Sequence, residues 1–233
     1  MMILPTITTT WGSNWRVKIK EINEIGLKEI ALFPTCLPKE KRKELYRLLE
    51  DSNIKSIPLV HIRSDMAEDE LDYFVRNYGT KAFNTHMQIE YPLRYDLSKY
   101  KDIIYIENVY HSLDEEELKK FGGICLDLSH LENDRLLHKE IFEHNIKMTE
   151  KYPLGSNHIS AVKEISHIDE KGYQRYDNHR LDNLSELNYL KKYSRNYFSS
   201  LIAIELENNI KEQLQIKKYL TNLLKGQKNN KLI

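Results

Sequence analysis

Short apolar runs alternate with longer amphipathic stretches from one end of the chain to the other. The runs are residues 3–9 (ILPTITT), 29–34 (EIALFP), and then IPLVHI, KAFNTHM, IIYIEN, GICLDLSH, GSNHIS and SLIAIEL. Runs this short, bounded by polar turns, read as buried strands. The stretches between them carry a helical period. Helices are predicted near 14–25, after Pro38 with Leu45, Leu48 and Leu49 on one face, and around Leu71, Phe74 and Val75. Further helices are predicted near 113–119, from about 133 to 150, and near 184–193. The last helix is expected to bury Ile210, Leu214, Ile216, Leu220 and Leu223. Gly26 sits where a helix C-terminus favours a residue free to adopt positive φ. Two connections are weakly patterned: a Tyr-rich one after KAFNTHM and an irregular stretch near 160–180, read as a long loop.

Eight strand–helix units in succession predict an α/β fold, a single (β/α)8 TIM barrel, with residues 1–233 forming one domain. A doubly wound open sheet is the alternative, but no GxGxxG turn follows the first strand.

Composition narrows the picture only at some points. Hydrophobic content is 40%, enough for a full core, and 35 basic residues balance 35 acidic ones. Neutrality neither advertises a nucleic-acid partner nor excludes one, because a basic face can be local. Cys36 and Cys125 are too few for a disulfide framework in a chain of this length, which fits a reduced, cytoplasmic setting. No apolar run approaches the roughly 20 residues that span a bilayer. The N-terminus lacks the pattern of a signal peptide, and the polar C-terminal GQKNNKLI is expected to fray.

The polar residues that close the apolar runs change the picture most. The runs end on, or are closely followed by, His61, His86, Glu107, Asp127 with His130, His158 and Glu205; YDNH adds Asp177 and His179. An ionisable group closing an apolar strand is costly unless something pairs with it. In a barrel these positions converge on one mouth, so a metal cluster is the simplest common partner. Glu107, Asp127, His158 and Glu205 close four consecutive units and form the strongest ligand set. His61 and His86 could hold a second ion that shares Glu107, and His130 with Asp177 and His179 a third. Cys125 precedes Asp127 by two residues and is expected to be a buried thiol rather than a ligand.

With these residues in view, the chain resembles the xylose isomerase-like TIM-barrel superfamily and, within it, endonuclease IV. The likeness covers nearly the whole chain. His61 and His86 match the histidine pair of that family's first zinc, and Glu107 in IENV matches its bridging glutamate. Asp127 and His130 in CLDLSH match its C-x-D-x-x-H segment. His158 with Lys163 matches its His…Lys segment, Asp177 and His179 its Asp-Arg-His motif, and Glu205 its final glutamate. Two departures stand out: Asn178 replaces the central arginine, and RSDM follows His61 where an aromatic residue is usual.

The resemblance implies up to three divalent ions, zinc first from the histidine count, with manganese or iron next. It implies phosphoester hydrolysis, with abasic DNA as a possible substrate. Glu107 and Glu205 are then the candidate catalytic groups, and Lys163, Arg63 and Arg180 the candidate phosphate contacts. Trp11 and Trp15, in WGSNW, are expected to pack on the barrel top. Sister families imply a different reading: one metal on Glu107, Asp127, His158 and Glu205, with a small sugar or sugar phosphate isomerised or epimerised and His130 binding a substrate oxygen. A barrel that binds metal without turnover is the third alternative.

Overall fold

The computed structural model describes residues 1–169 and 171–225; the expectation made for GQKNNKLI lies outside them. The first strand run is split by Pro5 into β1 (Met2–Leu4) and β2 (Thr6–Thr8). Next come α1 (Trp15–Ile25), β3 (Glu29–Phe33), α2 (Lys39–Glu50), β4 (Ser56–His61), α3 (Glu68–Tyr78) and β5 (Ala82–His86). They are followed by β6 (Ile104–Glu107), α4 (Glu115–Leu118), β7 (Gly123–Asp127), α5 (Leu128–Leu137), α6 (Lys139–Lys151) and β8 (Leu154–Ile159). The chain continues through β9 (Ala161–Ile168), β10 (Gln174–Asn178), β11 (Leu201–Ile204) and α7 (Ile210–Lys225).

The main sheet runs β1-β11-β8-β7-β6-β5-β4-β3-β2, and every pairing in it is parallel. Its two ends are the two halves of one strand run. β1 pairs with β11 and β2 with β3, so the sheet closes through Pro5 into an eight-stave (β/α)8 barrel. Proline has no N–H for a ladder, but its carbonyl still accepts from Ala31 N at 2.9 Å.

The helices begin and end for local reasons. The Asn14 side chain caps α1 by accepting from Val17 N, and Gly26 ends it at φ 74°. Gly79 ends α3 in the same way at φ 63°. Asn209 and Glu212 exchange side chain-to-backbone bonds at the start of α7, a capping box. Two apolar layers lie between staves and helices: one around Ile7, Leu45 and Phe74, the other around Leu126, Leu131 and Leu220. A third, smaller cluster of Leu4, Ala31, Phe33, Leu59, Ala82, Leu201 and Ala203 fills the inside of the barrel.

Several expectations need correction. The stretch near 160–180 is not a loop but an antiparallel hairpin, β9 paired with β10, which continues directly from β8. Its solvent-facing Ile165 and Ile168 broke the alternation that would have marked a strand. The helix expected at 133–150 is two helices joined at His138, and the first of them starts earlier, at Leu128, because Asp127 caps it. The segment near 184–193 is a 3-10 helix, Leu184–Lys192. Within α7, Ile210, Ile216 and Leu220 are buried as expected, but Leu214 and Leu223 are half-buried, and Gln213 and Leu224 take inward places. Trp15 is buried as expected, whereas Trp11 is 89% exposed rather than packed down.

Candidate metal centre

Alternation along the staves sets the site. Side chains two apart point to the same side of a strand, so the inward row passes from apolar floor to polar rim. Leu59 leads to His61, Ala82 through Asn84 to His86, and Tyr105 to Glu107. Cys125 leads to Asp127, Ser156 to His158, and Ala203 to Glu205. The register places His86 beside Glu107 and Asp127 beside His158. The Phe33 ring forms the floor, with centroids 4.5 Å from His158 and 5.5 Å from His61.

Three groups of close donor atoms share Glu107: one joins it to Cys125 and His158, and the other two are ligand sets of imidazoles and carboxylates alone. Donor atoms of His61, His86 and Glu107 lie within 4.8 Å of one another, and so do those of Glu107, Asp127, His158 and Glu205. Each oxygen of Glu107 serves one set. Oε2 is 3.1 Å from His61 Nε2 and 4.0 Å from His86 Nε2; Oε1 is 3.1 Å from His158 Nδ1. Asn84, an amide with no ligand signature, fixes this orientation by donating to Oε2 at 2.7 Å.

The surroundings fit a cation better than they fit one another. His61 Nδ1 lies 3.1 Å from the Ile62 carbonyl and must carry a proton to bond it. The lone pair on Nε2 then faces the carboxylate Oε2, acceptor against acceptor, unless a proton or a metal ion lies between. His86 has the buried Glu90 carboxylate 3.5 Å behind its Nδ1, close but without a hydrogen bond between them. Asp127 Oδ1 accepts from Ser129 N, Ser129 Oγ and His130 N as the cap of α5, while its Oδ2 is buried and unpartnered. His158 Nε2 is likewise buried without a partner. Glu205 Oε2 lies 3.0 Å from His158 Nδ1 but without the alignment of a hydrogen bond. Orphaned buried polar atoms are rare, and their concentration here fits a cage for a divalent ion.

Charge is strongly coupled across the cluster. Burial alone would raise the Glu107 carboxyl, but His158 and His61 outweigh it and hold it well below the usual range. Burial also opposes ionisation of Glu205, and His158 again overcomes it. Asp127 goes the other way, pushed up by burial. Burial lowers His86 to about 3, leaving a neutral ring suited to a metal. His130 rises to about 9: burial would lower it, but Asp127 and Asp177 prevail.

The remaining candidates are placed differently. His130 stands in the first turn of α5 with Nε2 3.8 Å from Asp127 Oδ2, and its Nδ1 turns away toward Asp177 at 3.0 Å. His179 Nε2 is 3.8 Å from Glu205 Oε1, at the edge of the second set. Among the described residues, His130, Asp177 and His179 are not gathered as a ligand group. Arg175, another residue that sequence reading missed, holds Asp177 instead. Lys163 is held by Asp182 at 2.8 Å and Glu186 at 2.9 Å, and Arg63 by Asp65 and the Thr35 carbonyl. Arg180 is exposed. Cys125 is fully buried and its thiol is pushed up to about 11 by burial, which disfavours the thiolate a metal would need. A cavity of about 740 Å³, lined by Met87, Ile89, Tyr95, His111 and Lys120 among others, includes none of the ligand candidates.

No protein-family model matches the chain, and no curated protein sequence matches it. Among solved structures the chain is similar to a xylose isomerase-like TIM barrel protein from Mycobacterium smegmatis in complex with magnesium. The two share 12% identity over 95% of this chain and 97% of that one, with a TM-score of 0.38. The barrel described above stands on its own strand order and register. Among the described residues, no helix is long and apolar enough to cross a membrane.

Proposed function

We propose that the protein is a metal-dependent hydrolase of phosphoesters, working at a centre of two divalent ions bridged by Glu107. One observation carries this reading: the two oxygens of Glu107 face two different ligand sets, His61 with His86 on one side and His158 with Asp127 and Glu205 on the other. A one-ion centre has no use for the first set. The ligand types suit zinc first, then manganese or iron.

Bound in these sets, divalent ions supply Lewis acidity toward phosphoryl oxygens and toward the attacking water. The chain's own residues do the rest. Asn84 holds the Glu107 carboxylate with one oxygen toward each set, and the Glu90 carboxylate lies 3.5 Å behind His86 Nδ1. Glu205, ionised beside His158 and the most exposed of the three carboxylates, is placed to orient a water. His130 and Arg175 lie on the far side of Asp127, where positive charge can meet a phosphate oxygen. The Phe33 floor keeps bulk water from reaching the ligands from below.

Abasic DNA is the polymer substrate that fits the resemblance, and Trp11, exposed on the loop after β2, is available to stack on a flat ring. The test uses protein purified without chelator. Its metal content is measured, and hydrolysis of bis(p-nitrophenyl) phosphate and of an abasic oligonucleotide is followed for wild type and His86→Ala. Two ions per chain and a loss in the variant of at least about the ten- to hundredfold that a supporting partner commands are expected. Full activity in His86→Ala would refute the two-ion mechanism.

A second reading has its own support: Glu107, Asp127, His158 and Glu205 form a complete four-residue set without the histidine pair. One ion per chain, with aldose–ketose exchange of a sugar or sugar phosphate seen by proton NMR, would establish that isomerase instead.

A further inference from the structure

The Asp177 carboxylate is already neutralised by a side chain of this protein. Arg175 Nε donates to Asp177 Oδ1 at 2.8 Å, and Arg175 Nη2 lies 2.9 Å from Asp177 Oδ2 and 2.7 Å from His130 Nδ1. Both carboxylate oxygens and the inner imidazole nitrogen therefore face one guanidinium. His130 Nδ1 is also 3.0 Å from Asp177 Oδ2, so it can donate to the carboxylate or accept from Arg175, but not both at once. A zinc or manganese ion bound through Asp177 and His130 Nδ1 would need those same lone pairs at close to 2 Å, and His130 Nε2 faces Asp127 instead. The third member of the set points elsewhere: His179 Nε2 faces Glu205 Oε1, and the His130 and His179 ring centroids are 6.4 Å apart.

Local structure explains why arginine takes the place. Arg175 and Asp177 are two apart on β10, so both side chains leave the strand on the same side, and the hairpin ladder shifts register between them. The planar fork of arginine then closes on the carboxylate in two parallel bonds. Only 7% of the Arg175 side chain is exposed, and the Tyr110 ring lies 5.0 Å from its Cζ. Its Nη1 takes no part in the bonds to Asp177 and His130.

We propose that the Arg175 guanidinium stands in for a third metal ion at His130, Asp177 and His179, so that the protein takes two divalent ions, with a fixed organic cation beside them. This rests on the two-ion reading of the Glu107 centre. It differs from the three-ion expectation of the sequence because Asp177 and His130 are engaged by the chain itself.

The test is a count of bound metal. Protein is stripped with chelator, dialysed against zinc or manganese alone, passed over a chelating resin and analysed for ions per chain. Wild type should hold two ions, and Arg175→Ala three. The double variant Arg175→Ala, Asp177→Asn should return to two. If Arg175→Ala loses its fold by circular dichroism, Arg175→Gln, which removes the charge and keeps the stem, is read in its place. Three ions in wild type, or two in a folded Arg175→Ala or Arg175→Gln, would overturn the proposal while leaving the Glu107 centre intact. One ion or none in wild type would overturn the two-ion centre itself, and this inference with it.

Discussion

Replacing Lys18 by methionine should stabilise the protein at neutral pH and remove a pH-dependent component of its stability. Lys18 projects from α1 beneath the place where β2 meets the segment after β11. It is 2% exposed, with Nζ 2.9 Å from Thr8 Oγ1 and 2.8 Å from the Leu206 carbonyl. Burial lowers its pKa from 10.5 to about 7, although Glu207 and Glu21 pull it upward. In the unfolded chain the amine keeps its proton up to about 10.5, so between pH 7 and 10.5 the unfolded state binds more protons than the folded one. Stability from this group therefore rises with pH across that window, by about 1.4 kcal/mol per unit. Below pH 7 the full penalty, about 5 kcal/mol as an upper value, is present.

Methionine removes the penalty and leaves few orphans. The Leu206 carbonyl also accepts from Gln213 Nε2 and Thr8 Oγ1, and the Thr8 hydroxyl has Ser13 Oγ at 3.0 Å. The assay is urea unfolding of metal-free wild type and Lys18→Met between pH 7.5 and 9.5, read as a difference so that other titrating groups cancel. The variant should be the more stable at pH 7.5, and its advantage should shrink by about 3 kcal/mol by pH 9.5. A difference that stays flat across that range would refute the assignment of a neutral, desolvated Lys18.

Three further outcomes are expected. Glu107→Gln removes the bridge from both ligand sets, so metal affinity measured by competition with a chelating dye should fall at least about a hundredfold, more than the loss of a supporting partner costs. Arg42, fully buried, is bonded to both oxygens of Glu70, to Asp65 and to the Leu37 carbonyl; Arg42→Ala should lower unfolding stability by about 3–5 kcal/mol, because the buried Glu70 carboxylate loses its counter-charge, while Asp65 keeps Arg63. Saturating zinc or manganese should raise the thermal midpoint of wild type and shift that of Glu107→Gln far less, since only a ligand that prefers the folded state stabilises it.

The staves were legible because each is a short apolar run closed by a polar group, and that pattern is the direct imprint of a parallel barrel buried on both faces. The same runs pointed to His61, His86, Glu107, Asp127, His158 and Glu205, which the barrel brings to one mouth. What the sequence hid has physical causes. The hairpin β9–β10 carries no buried apolar stripe, since the alternate buried residues of β10 are Arg175 and Asp177, so hydrophobic periodicity had nothing to report. The break at His138 lies within a run of good helix formers, and no proline or glycine marks it. Arg175 was invisible because its meaning depends on a partner two residues away and on His130, 45 residues distant in sequence. Its one local signal was the R-x-D spacing on what proved to be a strand. Asn84 could have been found from the alternation that also gives His86, but an amide carries no ligand signature.

Among the described residues the hairpin forms a two-stranded ladder of its own, not paired to the staves. Its far end is tied to the opposite rim by side chains: Lys171 to the Tyr91 hydroxyl, and Asp169 to Tyr110. Substitutions or insertions toward its tip would therefore reshape the rim while leaving the strand register that positions Glu107, Asp127 and His158 in place. Evolution can tune admission and reactivity as separate variables in such an arrangement, and a protein engineer seeking a new substrate would begin there.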